Sequence, residues 1–388
     1  ALSVCKVFNG TEEVQIVCGA PNCDAGKTVP LATIGTVFKT PEGEFKIKKS
    51  KLRGVESFGM MCSGEELGLN NDNDGLMILD DSLEAGTPLD NVFPGECRIE
   101  VEVTPNRPDW LSHWGVARDV ACLLNEEAKL PELNVPATEA APADLVTVED
   151  KELCPRYIGR LIRGVKVGES PEWLKERLTS VGLRPIKNVV DITNFILMEL
   201  GQPMHAFDAD LLAGKRVIAR RAKAGESIVT LDGSKLELNE NHLVIADAEK
   251  PMALAGVMGG EFSGVTEKTV NILLESAVFN SSNIRATSRK LGISSDSSYR
   301  YERGVDYDMA DYASDRAAQL IMELAGGEAL SEKVEVSAGR PEEKVILCRF
   351  ERIRSLIGFD CSNEEMVAIF RRLRLKVEEI TETSCKVT

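Results

Sequence analysis

The stretch NILLESAVF, Asn271 to Phe279, decides how the middle of this chain folds. It holds neither proline nor glycine and is dominated by apolar side chains, so it reads as a strand. Alternation puts Leu273, Glu275, Ala277 and Phe279 on one face and Ile272, Leu274, Ser276 and Val278 on the other. Glu275 faces an apolar environment either way. A carboxylate there needs a partner, because burying one unpaired costs on the order of several kcal/mol. Two readings stay open: an ion pair to a nearby arginine, or a specificity carboxylate at the base of a pocket.

Outward from that strand, helices and strands mix. RVIARRA (216–222), SIVTLDG (227–233) and HLVIAD (242–247) read as further strands. SPEWLKERLTSVG reads as a helix with Ser170 as N-cap, Pro171 at the first helical position and Gly182 as the stop. A longer helix, DMADYASDRAAQLIMELAGG, closes at Gly326 and Gly327. No regular strand–helix–strand repeat orders these pieces, so the class is α+β. Residues 1–95 read instead as short strands between turns, the pattern of a small closed barrel. In TPNRPDWLSHWGVARDVACLL, residues Trp114, Ala117, Ala121 and Leu124 fall on one helical face. The Pro- and Ala-rich run from Leu130 to Ala143 marks a domain boundary, and SEKVEVSAGRPEEK (331–344) a second linker. Beyond it, an amphipathic helix near EEMVAIFRRLRL belongs to a last, incomplete unit.

The 388 residues suit two or three cores. With 43% hydrophobic and 28% charged residues and no apolar run near membrane-spanning length, the chain reads as a soluble globular protein. ALSVCKVF at the start lacks an initiator Met and a leader pattern, and reads as a cut from something longer. Ten cysteines without a CxxC pair fit reduced thiols, and Cys18 and Cys23 read as packing residues. A net charge of −16 argues against a whole surface built for nucleic acid. Charge is uneven, however. KIKKSKLR carries Lys46, Lys48, Lys49, Lys51 and Arg53, and a second basic run extends from Arg349 to Lys376. NNDNDG (70–75) has Asp81 where a calcium loop needs Glu, and reads as a polar turn. GVMGGEFSGV lacks phosphate-loop spacing; Gly256, Gly259 and Gly260 make a tight turn or admit a ligand to the backbone. Of three histidines, His113 and His242 read as structural, whereas His205 follows a Gly-Gln-Pro turn and is a candidate for substrate contact.

IVCGAPN, KLRGVESFGMMCSGEELGL, VTPNRPDWLSHWGVARDVA, VVDITNFILMELGQPMHAFD, LLESAVF and SSDSSYRYERGVD, in this order, resemble the β subunit of bacterial phenylalanyl-tRNA synthetase from end to end. The resemblance implies an α+β multidomain chain. Its parts are an OB-type β-barrel that binds tRNA over 1–95, lacking its N-terminal part, a helical connector and linker over 96–143, a mixed α/β B3/B4 editing module over 144–335 and the start of a B5 domain over 340–388. It also implies cytoplasmic location, an α2β2 heterotetramer with the α subunit, tRNA(Phe) as partner, and Mg and ATP for the whole ligase, with no cofactor and no metal on this segment.

In this family the editing module hydrolyses tyrosine wrongly attached to the phenylalanine tRNA. A pocket shaped for an apolar ring rejects an isostere with one extra hydroxyl by only about a hundredfold. A second site that requires the hydroxyl discriminates better, because the analogue lacking it leaves buried polar groups unpaired. By resemblance, Glu275 is the carboxylate that takes the tyrosine hydroxyl, and Gly259 meets the same end through its backbone. Ser295 and Ser297 stand where the family commonly shows Thr and Ala, and would line the pocket. Thr193 and Asn194 match residues at the amino-acid end of the substrate and His205 the histidine by the terminal adenosine; these three make the catalytic set. Lys46, Lys48, Lys49, Lys51 and Arg53 are the tRNA contacts. The opposing expectation is a scaffold with an inactive pocket, which the serines at 295 and 297 keep open.

Overall fold

A computed structural model describes residues 2–40, 43–70, 72–93, 98–136, 140–329 and 332–388. The chain divides into two compact units, 1–97 and 98–388.

In the first unit the strands are short and pair two by two. Ser3–Phe8 pairs with Glu13–Cys18, Leu31–Thr33 with Gly59–Met61, Val37–Thr40 with Gly43–Lys46, and Ser50–Leu52 with Val55–Ser57. Single bonds join the ladders, such as Phe58 N–H to Gln15 O at 2.9 Å and Cys62 N–H to Pro30 O at 3.1 Å. Among the described residues no continuous closed barrel results. The apolar interior is correspondingly split, one cluster around Ile16, Cys18, Met61 and Leu76 and another around Ala32, Ile47 and Cys62. Asn70 and Asp72 each accept a backbone N–H two residues on, which makes their loop a chain of Asx turns; Asn71 lies outside the described residues.

The second unit is organised by the strand the sequence singled out. Asn271–Val278 lies between Met204–Asp208 and Arg156–Arg163, antiparallel to both, and Arg156–Arg163 also pairs with Glu328–Ala329 and Val334–Ser337. Val334–Ser337 is therefore sheet rather than linker. The alternation holds: Leu273, Ala277 and Phe279 enter one core, and Ile272 and Leu274 the other. The second of these cores is closed by the helices Asn188–Leu200 and Met309–Ala325. Across the first lies another five-stranded sheet, ordered Met258–Gly259, Pro251–Leu254, Leu243–Ala246, Val217–Arg221 and Val146–Val148. Helices, sheet and sheet thus form three layers, and Glu275 points between the two sheets.

Two local readings need correction. The helix predicted from Pro171 spans Glu172–Ser180, and the Ser170 hydroxyl donates to Asp191 Oδ2 at 2.5 Å instead of capping it. In His113–Leu124 the buried residues are Gly115 and Cys122, while Ala117 and Leu124 of the expected face are exposed. Gly115 explains the choice: a Cβ there would lie 1.7 Å from Asp109 O, so the helix packs this side against its own lead-in turn. The basic run after Arg349 is partly committed internally, with Arg354 on Cys361 O and Asn363, Arg372 on Glu365, and Arg374 on Ala128 O. Arg354 and Arg372 lie on the helices Phe350–Ile357 and Asn363–Arg372, which pack with a three-stranded sheet around Phe350, Met366 and Cys385.

Candidate functional site

Pairing places Glu275 opposite Gly159 on one side and His205 on the other. Its side chain is 6% exposed. Gly159 keeps the sheets close, since a Cβ there would sit 2.5 Å from Val146 Cγ2. Of the two readings left open, the ion pair to an arginine is not realised. Among the described residues Glu275 makes no ion pair, and its one donor is the fully buried Tyr157 hydroxyl, 2.6 Å from Oε2. Burial pushes the carboxyl up from 4.5 to about 7, and the Tyr157 hydrogen bond pulls the other way without offsetting it. Near neutrality this acid is poised between its charged and neutral forms.

A cavity of about 50 Å³ adjoins it, bordered by Met204, His205, Gly256, Gly259, Glu275, Ser297 and Tyr301 among others. His205 stacks edge-on against Phe207, with ring centroids 4.5 Å apart, and its Nε2 is sealed without a hydrogen-bond partner. Burial pushes its imidazole down to about 4, so it is neutral at physiological pH. Gly259 is required by that ring, because a Cβ would lie 2.5 Å from His205 Cε1. Gly256, at φ +66°, adopts the left-handed region and turns the chain against Phe279, Ile284 and Tyr301.

The structure brings Glu275, Gly259, His205 and Ser297 to one cavity. Ser295 is not on it: its hydroxyl donates to Val257 O at 2.7 Å and accepts from Ser298 N at 3.0 Å, while Ser298 Oγ accepts from Ser295 N. The serine-rich run is thus a capping box for Asp296–Tyr301 that also pins the loop bordering the cavity. Thr193 and Asn194 lie on Asn188–Leu200 and do not border the cavity; the Thr193 hydroxyl bonds back to Val190 O at 2.7 Å. Tyr157 escaped the sequence reading. The sequence assigned no strand over 156–163, and which acid Tyr157 opposes depends on pairing between segments 118 residues apart.

In the first unit Lys46, Lys48, Lys49, Lys51 and Arg53 are all exposed. Arg53 (φ 48°) and Gly54 (φ 91°) form the two-residue tip of a tight hairpin. Lys49 is paired with Glu56 at 2.9 Å; the other four make no ion pair among the described residues. Phe45 and Leu52 are exposed beside them.

Residues 153–326 match the family model described as B3/4 domain, and residues 1–88 the one described as putative tRNA binding domain. Together these define the class: a chain that joins a domain similar to putative tRNA binding domains to a B3/4 domain. The chain is 48% identical over 399 residues to the phenylalanine–tRNA ligase beta subunit of Geobacter metallireducens, covering 100% of itself and 49% of that protein. Against the beta subunits of Syntrophotalea carbinolica and Porphyromonas gingivalis it is 47% identical in each case, covering 98% and 94% of itself and 47% and 46% of those proteins. It belongs to the family of phenylalanine–tRNA ligase beta subunits and spans about half the length of the curated relatives it matches. A solved N-terminal fragment of the phenylalanyl-tRNA synthetase beta subunit from Pyrococcus horikoshii overlays with a TM-score of 0.34 at 17% identity, covering 73% of this chain and 78% of that one; no conclusion rests on so low a score.

Proposed function

We propose that the unit 98–388 carries a proofreading site that hydrolyses tyrosine from mischarged tRNA(Phe), within an α2β2 ligase whose α subunit performs the aminoacylation. The observation that carries this reading is Glu275: a buried carboxyl with a single donor, bordering a cavity, in a domain of the B3/4 family. A phenolic hydroxyl supplies the donor such an acid lacks, and phenylalanine does not. An aminoacyl ester is already activated, so a positioned water suffices and no covalent nucleophile is needed. The neutral imidazole of His205 orients the terminal adenosine, with Thr193 and Asn194 reaching the amino-acid end only after local rearrangement. Ser297 makes the pocket more polar than an alanine would. ATP and magnesium are assigned to the synthetic half of the complex, and no step here is routed through them.

The first unit, an OB-type domain in this reading, contributes tRNA contacts through Lys46, Lys48, Lys51 and Arg53, with Lys49 tempered by Glu56. Replacing Lys48, Lys51 and Arg53 by alanine lowers the salt dependence of tRNA affinity by about 2 in log–log slope. In this reading the cluster around Phe350, Met366 and Cys385 belongs to a B5 domain. Deacylation of Tyr-tRNA(Phe) and Phe-tRNA(Phe) by the full-length subunit assembled with its α partner tests the proposal. Faster release of tyrosine supports it, and equal, solvent-like rates for both favour the inactive scaffold.

A further inference from the structure

We propose that Tyr157 is a specificity-determining positioning residue: its hydroxyl holds Glu275 Oε2 from the core side, so that Oε1 is the one acceptor offered to a ligand's phenol. The inference rests on the proofreading reading above. Tyr157 lies on Arg156–Arg163, facing Ala277 in the register and diagonal to Glu275, and it does not border the cavity. The hydroxyl therefore reaches the carboxyl from the side away from the space a ligand would enter. Among the described residues nothing donates to Oε1.

The other titratable groups around the carboxyl do not compete for it. Cys154 Sγ donates to Arg156 O. Tyr301, from the helix Asp296–Tyr301, directs its hydroxyl to Pro203 O and Ala277 O, both at 3.1 Å. His205, on the neighbouring strand, leaves Nε2 without a partner. Among the described residues Tyr157 is the one hydrogen-bond partner that fixes which way the carboxyl faces. It is itself a phenol donating to a carboxylate, the contact the ligand is to make, so the protein already contains one half of a two-phenol arrangement around a single acid. Holding one oxygen serves two ends. It removes the rotamer freedom that would let an incoming group bind out of register with the ester, and it favours the charged form that accepts a hydrogen bond over the neutral form.

The experiment is single-turnover deacylation of Tyr-tRNA(Phe) and Phe-tRNA(Phe) across pH 6–9 by the assembled full-length enzyme, comparing wild type, Tyr157→Phe and Glu275→Ala. Tyr157→Phe is expected to reduce the tyrosine-over-phenylalanine rate ratio about tenfold. It should also raise the pH midpoint of tyrosine release by about one unit, with phenylalanine release unchanged. A protein carrying 3-fluorotyrosine at position 157, nearly isosteric and a stronger donor, should shift the midpoint down, which keeps the test open if Tyr157→Phe folds poorly. A midpoint and a ratio insensitive to both changes, while Glu275→Ala lowers the ratio, would overturn the role of Tyr157 and leave the proofreading site standing. A ratio insensitive to Glu275→Ala overturns both.

Discussion

Asp247 and Glu275 are both carboxylates sealed within the second unit, and their surroundings differ in kind. Asp247 Oδ1 accepts the backbone N–H groups of Glu249 and Lys250, each at 2.8 Å, and Oδ2 accepts that of Ala213 at 3.1 Å. Asp191 and Asp208, the other buried acids among the described residues, likewise receive donors on both oxygens. Glu275 receives one donor on one oxygen. Asp208 and Asp247 tie loops to strand ends and Asp191 ties Ser170 and Ile186 to the first turn of Asn188–Leu200, where satisfied polar groups fix a conformation. The fourth borders empty space with an acceptor to spare. Burial alone therefore does not set Glu275 apart; burial with incomplete partnering beside a cavity does.

The sharpest way to break this contrast is pH. Glu275 holds its proton more tightly when folded, about 7 against 4.5. The folded state thus binds more protons between these values, and stability falls as pH rises from about 4.5 to about 7, with the full penalty above. Glu275→Gln, which keeps an acceptor for Tyr157, should abolish this fall and be more stable than wild type at pH 8 by up to about 3 kcal/mol, with little difference at pH 4.5. Chemical unfolding at the two pH values checks it. Asp247→Asn should do the opposite at pH 7, losing about 2 kcal/mol, because the new amide meets a backbone N–H that cannot turn away. Opposite signs for the two substitutions are the signature of the comparison; destabilisation by both would dissolve it.

Smaller changes probe the cavity rather than the acid. Gly259→Ala drives a methyl into the His205 ring, so tyrosine release should fall roughly tenfold and the unfolding midpoint should drop by the equivalent of about 1–2 kcal/mol. Ser295→Ala removes the cap of Asp296–Tyr301 and the tether to Val257 O, with a stability loss of about 1 kcal/mol seen in thermal melts.

The sequence made some of this legible and not the rest, for physical reasons. Period-two alternation assigned the two faces of Asn271–Val278 correctly, and Gly326 ended the long helix as expected. Position 275 stood out because a charged residue interrupts an apolar pattern. What alternation cannot supply is the neighbour. Tyr157 rather than an arginine serves Glu275, and Ser295 faces a backbone carbonyl rather than the cavity. In the first unit, short strand-like runs between Gly and Pro clusters signalled β structure, yet their two-by-two pairing was not readable, because register over three to six residues is weakly specified by pattern.

The central claim is that the unsatisfied oxygen of Glu275 recognises a hydroxyl that phenylalanine lacks. Its most direct test is the ratio of Tyr-tRNA(Phe) to Phe-tRNA(Phe) deacylation rates at pH 8, measured on the assembled enzyme with and without Glu275→Ala. The ratio should drop by about 10- to 100-fold, entirely through slower tyrosine release. An unchanged ratio would contradict the account.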